Sequence, residues 1–285
     1  MKQFKIRCSS IGDIMTEPQT KSPYQKWSEK VEQLKKANDD YNAFANKETK
    51  TAKTLENKII TYTAELPELE RHKNDLHLSK TCIAVVDQWI KEQPEFYGRP
   101  KEFTSKYTDK GIECEDSAIQ FVASQYNWGA VKKNTIRFED DDHIEGTPDV
   151  ILPKSVDDIK CPWWCFTFPI FDKDLPDRDY EWQGNGYMAL TKKPLFGLHY
   201  TLMDAPERFI DMQARKEATR LGMEEVEYEL FEEVKAKMTY SHLPAKLRLK
   251  SYYFHQNLVA ELAVRERVEV IRTYIKSLNL EQYYL

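Results

Sequence analysis

The chain has 285 residues, 41% of them hydrophobic and 31% charged, which is enough apolar material for one large folded domain or two small ones and too much for a disordered protein. No apolar run reaches the roughly 18 residues that span a bilayer, and the N-terminus lacks the apolar core of a signal peptide, so neither a membrane protein nor a secreted one is expected. The formal net charge of -5 argues against a protein that coats nucleic acid by bulk charge, yet it leaves room for an enzyme with a local basic groove.

Residues 21–77 are predicted to form a helical hairpin. Ser22 is an N-cap residue, and Pro23 suits the first helical position. Apolar residues then recur at spacings of three and four in two series, with Asn38 at the seam position between Leu34 and Tyr41. The series are Tyr24, Trp27, Val31, Leu34, Tyr41 and Ala45, then Leu55, Ile59, Tyr62, Leu66 and Leu69. Pro67 is expected to kink or end the second helix. The pattern indicates a narrow coiled-coil seam, either in a packing arm or in an arm for oligomerisation or partner binding.

Further helices are predicted over residues 78–93 and 111–126, after which the apolar period changes to that of strands. Strands are expected over residues 135–138, 149–152 and 156–160, with a tight turn between the last two. A helix over 180–190 and a strand over 195–202 follow, and the C-terminal third is expected to be mainly helical, with helices near 223–238 and 264–278. This order predicts an α/β or α+β core with helical additions.

Two acidic residues and a lysine are expected to meet at one edge of the sheet. Asp158 and Lys160 share a face of their strand because side chains alternate, and a short hairpin brings Asp149 beside them. Clustered carboxylates repel one another, and Mg²⁺ removes that repulsion while needing only one or two carboxylates plus oxygens such as the Ile159 carbonyl. Mn²⁺ is an alternative ion. Lys160 could hold or deprotonate an attacking water, or stabilise negative charge that develops on a phosphodiester; the alternative is an ordinary charged surface hairpin.

Pro148-Asp149 followed by Asp158-Ile159-Lys160 resembles the motif of the PD-(D/E)XK nucleases. With Cys161-Pro162 added, it is similar to the phage lambda-type exonucleases, also called YqaJ-type viral recombinases. The resemblance implies a restriction-endonuclease-like core, in which a mixed central sheet is flanked by helices. It covers Ser9 and then the chain from about residue 103 to residue 204.

Flanking motifs extend the resemblance. Lys110-Gly111 with Glu115 and Ala118 matches a family helix whose glutamate joins the metal site, and the match assigns that position to Glu115. Residues 180–189 resemble the downstream helix whose glutamine faces the active site, here Gln183. Near the N-terminus, Ser9 matches a serine that contacts the terminal phosphate. Where the family has an arginine for the 5′-phosphate, this chain has Lys2 at about the same spacing.

The resemblance implies a Mg²⁺-dependent deoxyribonuclease that degrades one strand of a DNA duplex from an end in phage-type recombination. Glu115, Asp149 and Asp158 would hold the metal, with Asp149 bridging if there are two ions, while Lys160 assists the water and Gln183 positions the site. A ring-like homo-oligomer and a single-strand annealing partner are implied too. The expected parts are residues 1–20 as an N-terminal segment of the core, 21–77 as an inserted hairpin, 78–205 as the nuclease core and 206–285 as a helical extension.

Two other functions remain open. A structure-specific or restriction-like endonuclease would keep the same chemistry and differ in cutting closed circular DNA. A non-catalytic DNA-binding or assembly protein would use the hairpin as its working part, although such a protein has no physical need for clustered acids.

Several other residues are weaker candidates. The odd set of five cysteines indicates free thiols in a reducing cytoplasm, which would be that of the bacterial host if the chain is phage-encoded. Cys161 with Cys165 could suggest a metal or iron–sulfur site, but the remaining thiolates of such a site are missing. His143 could be a ligand. A group of aromatic residues after the catalytic strand could stack on unpaired bases or pack in the core, namely Trp163, Trp164, Phe166 and Phe168. The basic residues that could contact phosphates are Lys101, Lys106, Lys110, Lys132, Lys133 and Arg137.

Overall fold

A computed structural model of the chain describes residues 1–101, 105–139 and 141–283. The start of the family resemblance, at residue 103, lies outside the described residues. The strands are β1 (Ile6–Arg7), β2 (Ile144–Glu145), β3 (Val150–Ile151), β4 (Ser155–Lys160), β5 (Leu195–Thr201) and β6 (Leu249–His255). The helices are α1 (Ile11–Ile14), α2 (Pro23–Ala43), α3 (Lys50–His72), α4 (Lys80–Glu92), α5 (Lys106–Tyr126), α6 (Asp179–Thr191), α7 (Glu207–Leu221), α8 (Tyr228–Met238) and α9 (Leu258–Ser277).

A mixed sheet of order β3-β4-β5-β6 forms the centre of the molecule. β3 and β4 are antiparallel and are joined by the predicted tight turn, in which the Leu152 N–H donates to the Ser155 carbonyl at 2.9 Å. β4 and β5 are parallel, with α6 as the crossover between them, and β6 is antiparallel to β5. β1 and β2 pair separately in parallel. The sheet with helices around it confirms the predicted α/β architecture.

Helix α6 is buried along most of its length. All residues from Gln183 to Leu190 are buried, which explains why this helix shows no apolar stripe. Its glycines allow close packing: a Cβ on Gly184 would lie 2.6 Å from the Phe196 ring, and one on Gly186 would lie 2.7 Å from Cδ1 of Ile11. The sheet and the N-terminal turn at Cys8–Ser10 can therefore both approach the helix backbone.

Helix α5 packs against the sheet, because Ile159 and Val150 form one buried cluster with its residues Ala118, Ile119 and Val122. A second cluster joins α7 and α8 to Trp163, just after β4. The largest cluster joins α6, β5 and β6 to α1, α4 and α9. The catalytic strand predicted from sequence therefore lies in the interior, with its C-terminal end between α5 and α6.

The predicted helical hairpin is confirmed, since α2 and α3 pack mainly against each other. Ser22 caps α2 with a reciprocal capping box to Gln25. Most predicted seam residues are half-buried, whereas Tyr24, Val31 and Ala45 are exposed, and Ala45 lies beyond the end of α2. Among the described residues, no helix is both long and apolar enough to cross a membrane.

The prediction that Pro67 ends its helix was wrong, because α3 continues through it to His72, whereas the kink at Pro67 stays a prediction. A proline lacks the N–H that would bond the carbonyl four residues earlier, that of Thr63. Both residues are exposed, so water can serve that carbonyl. The seam on the opposite side of α3 then holds the helix together.

The predicted strand over residues 135–138 was also wrong, since only Phe138 pairs, in an isolated bridge to Gly146. Asn134 explains this: its Oδ1 accepts from the Ile136 N–H at 3.1 Å, and its Nδ2 donates to the Ile136 carbonyl at 3.0 Å. This local turn uses main-chain groups that a strand would pair.

In the C-terminal third, strand β6 was not predicted. The helix expected from residue 223 begins only at Tyr228, because Gly222 ends α7 with a φ of 74° and the Met223 N–H bonds back to the Ala218 carbonyl at 2.9 Å. Met223 therefore belongs to the cap of the preceding helix.

Candidate active site

Asp149 and Asp158 lie together at the C-terminal end of β4. The Ile159 N–H donates to Oδ2 of Asp149 at 2.7 Å, which fixes this carboxylate against the catalytic strand. Burial, and then the negative charge of Asp158, raise the pKa of Asp149 to about 8. Ionising both carboxyl groups at once is therefore costly without a cation, as the sequence predicts for a cation site.

Lys160 lies on the same strand face as Asp158, with its Nζ 2.7 Å from Oδ2 of Asp158. Burial alone would lower the pKa of Lys160, but the charges of Asp158 and Asp149 outweigh it and raise that pKa above its usual range. Its side chain is 31% exposed, so the ammonium can reach a bound molecule. The geometry gives a protonated lysine at the edge of the acidic pair.

Gln183 reaches the site from α6. Its Nε2 donates to Oδ1 of Asp158 at 3.1 Å and also lies 3.3 Å from the Tyr187 hydroxyl. Tyr187 in turn donates to the Thr147 carbonyl at 3.3 Å, two residues before Asp149. One buried chain of hydrogen bonds thus connects both acidic segments to α6, and the sequence indicated Gln183 but not the role of Tyr187.

Glu115 is near the acidic pair, because its charge contributes to the raised pKa of Asp149. Its carboxylate, however, is held by Lys133, whose Nζ lies 2.5 Å from Oε2. Within the described parts of the chain, no three His, Cys, Asp or Glu side chains lie close enough together to hold a metal ion. Asp149, Asp158, Lys160 and Gln183 are therefore brought together, while Glu115 stands beside them and is paired with a cation.

Two side chains that hold this region were not assigned such a role from the sequence. Nδ2 of Asn134 donates to the Pro148 carbonyl at 2.9 Å, and its N–H donates to the Asp149 carbonyl at 2.7 Å. Lys110 is fully buried, and its Nζ donates to the carbonyls of Pro162 and Trp163, both at 2.9 Å. Burial lowers the pKa of Lys110. The sequence offered Lys110 as a phosphate contact, and its burial contradicts that interpretation.

Ser9 is exposed on the turn that packs against α6. Its neighbour Cys8 fits between Gly146 and Gly186, since a Cβ on either glycine would come within 3.0 Å of the Cys8 Sγ. Lys2 is exposed and lines a cavity of about 630 Å³ together with Lys5, Arg7 and Ser10. The phosphate-binding roles of Ser9 and Lys2 remain predictions.

Among the weaker candidates, His143 and Arg137 form ion pairs within the protein, and the cysteines form no disulfides among the described residues. His143 pairs with Glu269 through Nε2 at 2.9 Å and belongs to a surface network with α9. Arg137 pairs with Glu145 at 2.5 Å. Cys161 and Cys165 are free thiols, as are the other three cysteines.

The donor set suits a hard divalent cation. Oδ2 of Asp158 is buried, and among the described residues no donor meets it with hydrogen-bonding geometry, although the Lys160 ammonium lies close to it. A buried carboxylate oxygen without a hydrogen bond is costly and is a natural ligand for a cation. Asp149 and Asp158 together supply the one or two carboxylates that Mg²⁺ ordinarily uses.

Comparison with solved structures finds similar folds. The chain is similar over 99% of its length to a phage-related exonuclease from Haemophilus somnus 129PT, at a TM-score of 0.63 and 22% identity, with 97% of that chain covered. An alkaline exonuclease from Laribacter hongkongensis is similar at a TM-score of 0.49 and 12% identity, over 98% of this chain and 94% of that one. No protein-family model matches the chain, and no curated protein matches it significantly. The chain has the fold of a phage-related exonuclease, the restriction-endonuclease-like architecture that its motifs predict.

Proposed function

We propose that the protein is a metal-dependent exonuclease that acts on the ends of duplex DNA in phage-type homologous recombination. The observation that carries this proposal is the meeting of Asp149, Asp158, Lys160 and Gln183 at the end of β4. This set occurs in the fold of a phage-related exonuclease, which supports the same reaction class.

Asp149 and Asp158 would hold Mg²⁺, or Mn²⁺ in its place, with the Ile159 carbonyl as a further oxygen ligand. Glu115 would join them once its carboxylate leaves Lys133 and binds the metal instead. A bound ion would lower the pKa of its water and offset charge on the phosphodiester. The raised pKa of Asp149 supports this assignment, because burial and the charge of Asp158 disfavour the ionised carboxylate and a bound dication would favour it.

Lys160 would act as a cation. With its pKa above the usual range, the ammonium stays protonated, which favours orienting the attacking water and stabilising the developing phosphorane charge over removing a proton. Gln183 would be a positioning residue, because it donates to Oδ1 of Asp158 and not to Oδ2, the oxygen beside which the Lys160 ammonium lies at 2.7 Å.

Ser9 and Lys2 would contact the terminal phosphate. We further propose a homo-oligomer, a single-strand annealing protein as partner, and a location in the bacterial cytoplasm, which the five free thiols support. The division into residues 1–20, 21–77, 78–205 and 206–285 is retained as a proposal.

The test is to incubate the protein with linear duplex DNA and Mg²⁺, beside an EDTA control and a closed circular duplex. Lys160→Ala is expected to lower the rate by about 100- to 1,000-fold, the usual cost of one charge-stabilising group. Lys154→Ala is the matched control, because Lys154 is an exposed lysine directly before the opposite end of β4 and should be dispensable.

Loss of linear DNA alone, abolished by EDTA and by Lys160→Ala, would support the exonuclease. Cutting of the closed circle would instead assign an endonuclease. Binding of DNA without metal-dependent cleavage of either substrate would refute the nuclease and favour an assembly protein.

A further inference from the structure

An exposed group of aromatic side chains lies beside the candidate active site. Phe166 is 85% exposed, Tyr107 59% and Trp164 40%. Trp164 and Phe166 are in ring contact at 5.7 Å between centroids, and Tyr107 contacts Trp163, the residue before Trp164, at 5.7 Å. We call Tyr107, Trp164 and Phe166 the aromatic patch. Large aromatic rings left in water indicate a surface that meets a partner.

The backbone beneath the aromatic patch is held in place. Lys110 donates from the interior to the carbonyls of Pro162 and Trp163, and the Cys165 N–H donates to the Tyr240 hydroxyl at 3.1 Å. Trp163 itself is buried against α7 and α8. The rings are therefore presented by an anchored segment rather than by a loop without contacts.

Trp164, the residue of the aromatic patch that is nearest in sequence to Lys160, lies within a bounded distance of the candidate active site. Trp164 follows Lys160 by four residues, so even a fully extended chain separates their Cα atoms by at most about 14 Å. That distance corresponds to roughly four nucleotide steps of 3.4 Å along one strand. The segment also returns to the site, because the Lys160 ammonium lies 5.4 Å from the ring of Tyr180 at the start of α6.

A positive charge lies beside the aromatic patch, whereas negative charges follow Phe171 in the same segment. The Lys106 ammonium lies 4.6 Å from the Trp163 ring and 5.1 Å from the Tyr107 ring. Phe171, although 88% exposed, is followed by a segment of net negative charge, in which the exposed acids Asp172, Asp174, Asp177 and Asp179 outnumber the exposed cations Lys173 and Arg178. Aromatic rings combined with cations are typical of surfaces that bind single-stranded nucleic acid, and the acids argue against Phe171 as part of one.

We propose that the aromatic patch stacks on unpaired nucleobases of the DNA strand, within a few nucleotides of the scissile phosphate, while Lys106 contacts a neighbouring phosphate. This inference rests on the proposed function, since it assumes that DNA is the substrate. Stacking is tolerant of sequence because each base has a π-face, so no base preference is expected from this contact.

The test measures binding by fluorescence anisotropy in EDTA, where DNA is not cut. The probes are a blunt duplex, duplexes that carry a single-stranded tail at the 3′ or 5′ end, and the same tailed duplexes with abasic tails, which keep the phosphates and lose the bases. The variants are Trp164→Ala, Phe166→Ala and the conservative Phe166→Trp. Phe171→Ala is the matched control, because it removes an equally exposed phenylalanine from the same segment.

We expect Trp164→Ala and Phe166→Ala each to weaken binding of one tailed duplex about tenfold, in the range found when single stacking rings are removed. Binding of the blunt and abasic duplexes should not change, Phe166→Trp should retain binding, and Phe171→Ala should resemble the wild type. Equal losses on abasic tails, or no loss, would overturn the proposal.

The main alternative is that the aromatic patch joins subunits. In that case Phe166→Ala would change the mass measured by light scattering, and this result too would overturn the proposal. Because binding is measured without metal, a wild-type protein that binds tails but never cleaves DNA would refute the proposed nuclease and leave the stacking contact supported.

Discussion

Replacing Gln183 with glutamate would put a second carboxylate against Asp158 in a buried site. The Gln183 amide donates to Oδ1 of Asp158 at 3.1 Å, and two unit charges at that distance repel by about 5 kcal/mol at an effective dielectric constant of 20. The introduced glutamate can avoid this by staying protonated. Holding it neutral costs about 2 kcal/mol at pH 6 and about 5 kcal/mol at pH 8, taking an ordinary pKa of about 4.3 in the unfolded chain.

The sign of the pH dependence follows from the raised pKa of the introduced acid in the folded state. Folding is unperturbed below about pH 4.3 and is penalised increasingly as the pH rises toward 8. Gln183→Ala removes the same hydrogen bond without adding charge, so it should cost about 1.5–3 kcal/mol at every pH. Comparison with the wild type at each pH removes contributions from other groups such as Asp149.

The assay is urea unfolding followed by tryptophan fluorescence, in EDTA at pH 6, 7 and 8. The loss in Gln183→Glu should grow by about 1.4 kcal/mol per pH unit, and Mg²⁺ should reduce it, because the new carboxylate then faces a cation. A loss that is the same at all three pH values would refute the inference that Gln183 faces the charged Asp158 in solution.

Three other outcomes are expected. Lys133→Ala should tighten Mg²⁺ binding severalfold in calorimetry, because it releases Glu115 from its ammonium partner; unchanged affinity would mean that Glu115 does not reach the metal. Gly186→Ala should lower the free energy of unfolding by about 1–3 kcal/mol in thermal or urea unfolding, because the added Cβ would lie 2.7 Å from Cδ1 of Ile11. An unchanged free energy of unfolding would show that the N-terminal turn can move away from α6. The thermal stabilisation by Mg²⁺ should increase from pH 6 to pH 9, because the metal must displace a proton from Asp149, whose pKa is raised to about 8. Asp149→Asn should abolish this pH dependence.

The centre of the fold was predictable because its signals are local. The β3–β4 hairpin has alternating residues around a proline-containing turn, and the two segments of the hairpin arm show clear helical spacing. Strand β6 was missed because it is an edge strand in which Tyr252 is the one buried side chain, so it has neither a clear alternation nor a long apolar run. The error over residues 135–138 has a different cause, since the Asn134 side chain takes up main-chain groups that no periodicity reveals.

The candidate site was predictable as a set of residues and less so as an arrangement. The alternation of β4 correctly put Asp158 and Lys160 on one face, because that depends on strand geometry alone. The partner of Glu115 could not be foreseen, because Lys133 comes from an irregular segment 18 residues away in sequence. The bonds of Lys110 to the Pro162 and Trp163 carbonyls depend equally on tertiary packing.

The hairpin of α2 and α3 has the mechanical character of an adjustable spacer. Its helices pack mainly against each other, and Ala37 and Ala52 are their buried residues. Adding one heptad to each helix would therefore move the tip outward by about 10.5 Å while preserving the seam and leaving β4 untouched. Evolution can thus change the reach of this arm by insertion or deletion in steps of seven residues, without any compensating change around the central sheet.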